Sequence, residues 1–243
     1  MYGWRARIGL VLPSKNTVME ADLNRIVPEG LSIHTSRMRI HEEEVGQIEA
    51  MRLMNEQIPD VVSLVADVQP DVIIYGCTSG SFFGGLGYDK KLVKIIEDAV
   101  GMPAVTTTTA CVEALEALGL KTLVVATPYI KAVNDRLHKF LTDSGFKVAD
   151  LKGLEQVDVF MHGRNLMCAS ISLVEDMLKR QPKVDGVFIS CTNFSGAIDA
   201  IDKLEKDYDL PVVTANQASA WIALRMAGIH DVIQNFGKLF TLR

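Results

Sequence analysis

The sequence has few cysteines, and they show no pairing pattern. Its 243 residues include only four, and no two of them form a Cys-x-x-Cys pair: Cys77, Cys111, Cys168 and Cys191. No histidine lies at the spacing from them that zinc sites use. We therefore expect neither a disulfide framework nor a structural metal, and the cysteines need another explanation.

Excess positive charge, long apolar runs and nucleotide-binding motifs are also missing. The net charge of −5 provides no basic footprint for nucleic acid or anionic lipid. No apolar run approaches the roughly 20 residues of a membrane-spanning helix, and residues 1–7 do not resemble a signal peptide. Gly84 to Gly87 lacks the strand–GxGxxG–helix context, and GxxxxGK[ST] is absent. We expect a cytoplasmic protein that binds neither nucleic acid nor membrane.

The five histidines form no metal-ligand pattern and no evident dyad with a cysteine. We expect them to be surface or solvated residues, which disfavours a cysteine-based hydrolase because such an enzyme needs an imidazole beside its thiol. They are His34, His41, His138, His162 and His230.

Short apolar runs alternate with segments of helical periodicity along the whole chain. Strands are predicted over 8–12, 31–38, 72–75, 103–105, 122–126, 146–150, 185–190 and 211–213. Helices are predicted between them, including one over 43–68 that Pro59 bends or splits, whereas 158–165 is predicted to be irregular. This alternation is typical of an α/β fold with parallel sheets.

Three landmarks recur in the same order in the two halves of the chain. Pro13 ends a strand as Pro128 does 115 positions later, and Cys77 matches Cys191 after 114 positions. Pro103 opens a strand that matches the one at Pro211, 108 positions on. This repetition predicts two similar Rossmann-like lobes with four parallel strands each, over 1–115 and 116–243. The last segment can pack back on the first lobe.

The repeat centres on two matching stretches, 71–79 and 185–193. Each runs from an aspartate through an apolar strand to a small residue, a cysteine, a threonine and then a serine or asparagine. At a strand-to-helix junction, free backbone N–H groups and the helix dipole favour a thiolate. We therefore predict that Cys77 and Cys191 are a facing pair of nucleophilic or acid/base groups. Cys111 and Cys168 are expected to fill the core.

Polar residues cluster at four strand ends, where open α/β sheets bind their ligands. Their side chains and backbone N–H groups can hold a carboxylate. For Asn16, helix capping is the alternative role, and for Tyr129 it is packing between helix and sheet. The candidate ligand-binding residues are Ser14, Asn16, Thr78, Ser79, Tyr129, Thr192 and Asn193.

Four stretches together resemble the aspartate/glutamate racemase superfamily, in particular its maleate cis-trans isomerase and arylmalonate decarboxylase branch. They are Pro13–Glu20, Tyr75–Ser79, Ala126–Tyr129 and Ser190–Asn193. The resemblance covers nearly the whole chain. It implies two lobes related by a pseudo-twofold, a site between them, and no metal or organic cofactor. Many such α/β units also assemble as dimers or tetramers, so we expect a homo-oligomer.

The two cysteines distinguish the activities within this resemblance. The decarboxylase branch has a small residue at the first position, which Cys77 disfavours. The maleate isomerase branch uses the first cysteine as a nucleophile and the second as an acid/base, and Asn16 and Tyr129 match its carboxylate-binding residues. That branch can also carry an asparagine in the irregular segment, where Asp158–Phe160 has none, so a related dicarboxylate is an alternative substrate.

We therefore expect a cofactor-independent cis-trans isomerase of maleate or a related small dicarboxylate. A two-cysteine amino-acid racemase, which would exchange the α-proton of its substrate between the thiols, is the main alternative. An arylmalonate-type decarboxylase and a non-catalytic protein that binds a small mono- or dicarboxylate are further alternatives.

Overall fold

The computed structural model describes residues 2–242, apart from the side chains of Glu42, Glu43 and Gln47. All eight predicted strands are present within this range. Most of their residues are buried, as expected for strands whose two faces are both covered by helices. The strands are β1 Ala6–Pro13, β2 Leu31–Met38, β3 Val72–Tyr75, β4 Ala104–Thr106, β5 Thr122–Thr127, β6 Lys147–Gly153, β7 Gly186–Ile189 and β8 Val212–Thr214.

The strands form two parallel four-stranded sheets, which confirms the predicted fold class. The order is β2-β1-β3-β4 in one sheet and β6-β5-β7-β8 in the other, so both lobes have the same topology. β1 lies beside β3 and β5 beside β7. Because these neighbours are parallel, the loop after Pro13 adjoins that of Cys77, and the loop after Thr127 adjoins that of Cys191.

Twelve α-helices and one short 3₁₀ helix, Lys238–Thr241, cover the sheets in the described part of the chain. None of these helices is both long and apolar enough to cross a membrane. The helices are α1 Met19–Ile26, α2 Glu42–Val45, α3 Gln47–Asn55, α4 Ile58–Ala66, α5 Thr78–Phe82, α6 Tyr88–Val100, α7 Thr107–Ala117, α8 Lys131–Asp143, α9 Val159–His162, α10 Met167–Arg180, α11 Ala197–Tyr208 and α12 Ala215–Met226.

Two segments differ from the prediction. The helix predicted over 43–68 is three helices, interrupted at Gly46, whose φ is 79°, and again at 56–57. Pro59 lies in the first turn of α4, where its missing N–H breaks no helical hydrogen bond. The segment predicted to be irregular contains α9, because the Asp158 side chain accepts a hydrogen bond from the N–H of Phe160 and caps that turn.

Helices α7 and α12 pack against each other and join the two sheets. Each begins at a capping threonine that ends an equivalent strand, Thr106 in one lobe and Thr214 in the other. Ser219 Oγ donates to Thr107 Oγ1 at 3.2 Å between the two helices.

The predicted division between residues 115 and 116 falls inside α7. The 3₁₀ helix contacts α12 and β8, while Asp231 forms a 2.7 Å ion pair with Arg5 of the first lobe.

Candidate active site

Cys77 lies directly after β3 and caps α5. Its Sγ accepts a hydrogen bond from the backbone N–H of Gly80 at 3.3 Å, and it lies 3.8 Å from Ser79 Oγ. Gly76 is required before it, because a Cβ there would approach the Leu12 side chain to 2.5 Å and Met19 Sδ to 2.7 Å. The close packing of Gly76 against β1 and α1 thus determines where the thiol is presented.

Cys191 occupies the equivalent position after β7, but its local structure is different. Its φ is +122°, a strained value for a residue with a side chain, and its Sγ accepts from the N–H of Asn193 at 3.3 Å. The next helix, α11, begins only at Ala197. Cys191 therefore lies in a turn, and its thiol receives the turn N–H groups of Asn193 and Phe194 instead of the end of a helix.

Both cysteines line one cavity between the lobes. Its volume is about 50 Å³, room for a few water molecules or a small ligand. The cavity brings together eight of the nine predicted site residues. Its lining comprises Pro13, Lys15, Asn16, Ile40, Met51, Cys77, Thr78, Ser79, Tyr129, Val159, His162, Cys191, Thr192 and Asn193.

Ser14 is the predicted site residue that the structure does not bring to this cavity. Its side chain is exposed, and its Oγ accepts a hydrogen bond from the N–H of Ile40 at 3.3 Å. Its backbone N–H donates to Met38 at 2.7 Å. These contacts hold the end of β2 against the loop after β1.

Asn16 and Asn193 hold loops in place with the same groups that were predicted to bind a ligand. Asn16 Oδ1 accepts from the N–H groups of Val18 and Met19, each at 3.0 Å, and so caps α1. Asn193 Oδ1 accepts from the N–H of Thr17 at 2.9 Å, and its Nδ2 donates to Val159 at 2.9 Å. Capping, the alternative role considered for Asn16, is therefore present.

Thr78 and Lys15 supply polar groups at the cavity wall. The Thr78 hydroxyl is buried and has no hydrogen-bond partner in the part of the chain that the structure describes. It can therefore donate to a bound anion without breaking another contact. Lys15, half-buried, brings a positive charge to the same wall. The apolar side chains of Ile40 and Met51 restrict the remaining space.

Burial controls the acidity of both thiols. It raises the pKa of Cys77, although the Gly80 N–H and Ser79 Oγ favour the thiolate. Burial likewise raises the pKa of Cys191 to about 12, against the N–H of Asn193 and the Tyr129 hydroxyl. The expectation that strand-to-helix junctions lower these pKa values was therefore wrong, because desolvation outweighs the nearby donors.

Tyr129 follows β5 and lies buried beside Cys191. Its hydroxyl hydrogen-bonds to the Cys191 thiol and favours the thiolate form. Burial raises the pKa of Tyr129 well above its ordinary value, so the phenol stays protonated and can donate. The residue thus lines the cavity, and it also packs against Phe82 of α5, so that the packing considered as its alternative role is present.

His162 is a site residue that sequence reasoning missed. It was expected to be solvated, yet it is 3% exposed, and its Nδ1 lies 3.9 Å from Cys191 Sγ. No spacing rule links residues 29 positions apart. The one indication in the sequence was the family resemblance, which implies a site residue within the segment 158–165. The expectation for Cys168 was also wrong, since it is exposed, whereas Cys111 is buried as expected.

Two α/β lobes of the same topology, with cysteines at equivalent strand ends lining one cavity, are the arrangement that the resemblance to the aspartate/glutamate racemase superfamily implied. The model of the arylmalonate decarboxylase family matches residues 8–240, and the chain belongs to this family. The resemblance read from the four sequence stretches is thereby confirmed.

Known relatives cover almost the full length of the chain. It is 29% identical to the maleate isomerase of Nocardia farcinica, over 96% of this chain and 94% of that protein. It is 28% identical to the arylmalonate decarboxylase of Bordetella bronchiseptica, over 96% and 95%. A crystal structure of a cysteine-to-serine mutant of the Nocardia enzyme, which holds a covalently bound succinylcysteine intermediate, matches with a TM-score of 0.88 at 26% identity, over 97% of this chain and 98% of that one.

Proposed function

We propose that this protein is a cofactor-independent cis-trans isomerase of maleate or a closely related small dicarboxylate. The observation that carries the proposal is the pair of thiols, Cys77 and Cys191, in one small cavity between the lobes. Maleate isomerases of four organisms are among its relatives, and one of them forms a succinylcysteine.

The substrate carboxylates would be held by the polar wall of the cavity. Thr78 contributes an unpartnered hydroxyl, Ser79 a second hydroxyl, and Tyr129 a phenol that burial keeps protonated. Lys15 provides a positive charge that compensates part of the dianion. Donors fixed before the substrate arrives stabilise the charge that develops on a carboxylate during reaction.

Cys77, whose pKa burial raises, first gives its Sγ proton to solvent water, and its thiolate then adds to one alkene carbon. A sulfur–carbon bond forms, and the π-electron pair moves to the neighbouring carbon and its carboxylate as an enediolate. Cys191 gives its Sγ proton to that carbon, so the former double bond becomes a single bond and rotates. Cys191 then takes the proton back, and elimination of Cys77 releases the trans product. Protons and electrons balance over the cycle.

Trapping the adduct tests this route. Cys191→Ser retains the nucleophile Cys77 but lacks the thiol that acts as acid and base. After incubation with maleate, we expect the mass of the peptide that contains Cys77 to increase by the mass of one maleate molecule, as measured by mass spectrometry. Cys77→Ser should carry no such mass and should not turn over, while its circular dichroism spectrum is unchanged. Normal turnover by Cys77→Ser would exclude the covalent route.

Racemisation is the second candidate, because two thiols in one cavity can also exchange an α-proton. Solvent deuterium separates the two activities. Racemisation labels the α-position of recovered amino-acid substrate, whereas isomerisation acts on an alkene dicarboxylate. NMR in deuterated water, with a panel of C4 and C5 dicarboxylates and their amino-acid analogues, tests both on the same sample.

A further inference from the structure

Among the described residues, an imidazole lies against the sulfur of Cys191, and none lies against that of Cys77. His162 Nδ1 lies 3.9 Å from Cys191 Sγ, within the range of a sulfur hydrogen bond. The polar contacts of Cys77 Sγ within residues 2–242 come instead from Gly80, Ser79 and Tyr75. The two thiols, although equivalent in the repeat, are therefore chemically different.

The contacts of the ring determine which nitrogen carries the proton. His162 Nε2 lies 3.2 Å from the backbone carbonyl of Gln156, which can only accept. Nε2 therefore carries the hydrogen of the neutral ring, and the lone pair of Nδ1 faces Cys191. A neutral His162 in this orientation accepts the Sγ–H proton and has no N–H left to donate to a substrate carboxylate.

The ring is held by the surrounding segment. Gln156 and Asn165 form a reciprocal pair of side-chain amide hydrogen bonds, each 2.9 Å long, that closes the loop around His162. The backbone carbonyl of His162 accepts from Asn165 Nδ2 at 3.0 Å and from the N–H of Ser195 at 3.2 Å. The second of these contacts joins α9 to the turn that carries Cys191.

The exposure pattern also indicates a specific position for this ring. Phe160 and Met161 are 38% and 41% exposed although both are apolar, whereas the polar His162 is 3% exposed. A buried polar side chain costs free energy unless its partners compensate it. Here the compensating partners are the Gln156 carbonyl and the Cys191 thiol.

We propose that His162 is the proton partner of Cys191: its Nδ1 takes the Sγ proton when the sulfur acts as a base and returns it when the sulfur acts as an acid. The electron pair of the S–H bond stays on sulfur, and the charges of the resulting thiolate and imidazolium cancel. The imidazole thereby supplies the base that a thiol buried with two other weak acids, Tyr129 and Cys77, otherwise lacks.

This inference rests on the proposed acid/base use of Cys191, but its test does not require turnover. Cys191 is alkylated with iodoacetamide between pH 6 and 10 in the Cys77→Ser background, with His162 or with His162→Gln. Peptide mass spectrometry follows each thiol separately. Cys168, which is exposed, serves as the internal control for alkylation of a solvent-accessible thiol. The other charged group at the cavity wall, Lys15, is present in both proteins.

With His162 present, alkylation of Cys191 should begin at lower pH than in His162→Gln and then level off, because ring and thiol share one proton. In His162→Gln it should be at least about tenfold slower at pH 7.5 and should continue to rise above pH 9. Cys168 should follow the same curve in both proteins. Identical Cys191 profiles with and without His162 would overturn the proposal.

A second measurement leaves the histidine in place, in case His162→Gln does not fold. Nitrogen NMR of His162 should show the Nε2–H form, and the Nδ1 resonance should move in Cys191→Ala because the thiol hydrogen bond is lost. If His162 carries its proton on Nδ1, or if its Nδ1 resonance does not move in Cys191→Ala, the proposed dyad of His162 and Cys191 is refuted. If the dyad is present while the adduct of Cys77 is not trapped, the isomerase proposal fails and the dyad remains.

Discussion

The side-chain amide of Asn16 donates a hydrogen bond to Thr192 Oγ1 at 2.9 Å, from one lobe to the other. The same Thr192 hydroxyl donates to the carbonyl of Gly76 at 3.1 Å, directly before Cys77. Thr192 itself follows Cys191. One hydroxyl thus joins the two cysteine loops, so the separation of the thiols depends on it.

Thr192→Val removes this hydroxyl without changing the shape of the side chain. The Asn16 amide and the Gly76 carbonyl then lose a partner in a buried region, and we expect the free energy of unfolding to fall by about 1–3 kcal/mol. Thr192→Ser keeps the hydroxyl and is the matched control. Urea denaturation of the two variants measures the difference, and equal stabilities would show that the bridge contributes little.

Lys15→Met should weaken binding of a dianion. The lysine lies at the cavity wall of a protein whose net charge is −5, so it provides a local positive potential where the substrate would bind. We expect KM to rise by about tenfold with a smaller change in kcat, and the salt dependence of kcat/KM to decrease. Lys15→Arg should preserve most of the effect. If kcat/KM depended on salt equally in all three proteins, the charge of Lys15 would have no role in binding the substrate.

Tyr129→Phe should lower turnover more than stability. The phenol contacts the Cys191 thiol and faces the cavity, and removing one fixed donor of this kind reduces kcat by about 100-fold or more. The ring itself still packs edge-on against Phe82 and His162, which preserves the fold. Steady-state kinetics and thermal unfolding together check this. Full activity in the variant would show that the Tyr129 hydroxyl has no role in the reaction.

Asp22 gives the stability of the protein a pH dependence. Burial raises the pKa of this carboxyl to about 6, although Asn216 Nδ2 donates to it at 2.7 Å. Its ordinary pKa is 3.8, so the folded state binds the proton more tightly than the unfolded state does. The free energy of unfolding should therefore decrease as the pH rises from about 4 to about 6, and the loss should persist above that range.

Asp22→Asn should remove this loss, since the amide retains an acceptor for Asn216 and carries no charge. We expect the variant to be about 1–3 kcal/mol more stable at pH 7.5 and its stability to be flatter between pH 4 and 6. Asp98→Asn, which breaks an exposed ion pair with Lys94, is the control and should change stability by at most about 1 kcal/mol. Thermal unfolding across the pH range measures both. If the stability of Asp22→Asn changed with pH in the same way as that of the unaltered protein, Asp22 would not be the source of the pH dependence.

Local sequence patterns were sufficient to predict the strands and to place the two cysteines at strand ends. Six of the eight strands are short apolar runs that end at a proline, glycine or polar residue, whereas β2 and β6 are largely polar. Such signals act within a few residues of one another. Helix boundaries in 43–68 were harder, because Pro59 is compatible with both a bend and a helix start. The position of Gly46, not the proline, marks one of the breaks.

The repeat also predicted that Cys77 and Cys191 meet, since equivalent ends of parallel sheets carry them to the same side of each lobe. It could not predict which nearby polar residues face the cavity. Ser14 and Asn16 are two positions apart, yet the first is exposed against Ile40 and the second is buried against Thr192. That difference arises from contacts between loops that are distant in the chain.

The sequence by itself determined the two-lobed α/β fold, the paired cysteines and the family. Only the tertiary structure decided that Cys191 lies in a strained turn against His162, that Cys77 caps a helix without an imidazole partner, and that both thiols are buried enough to raise their pKa values. The physical reason is that strands follow from the periodicity of neighbouring residues. The acidity of a thiol depends instead on desolvation and on donors that the folding of distant segments brings to it.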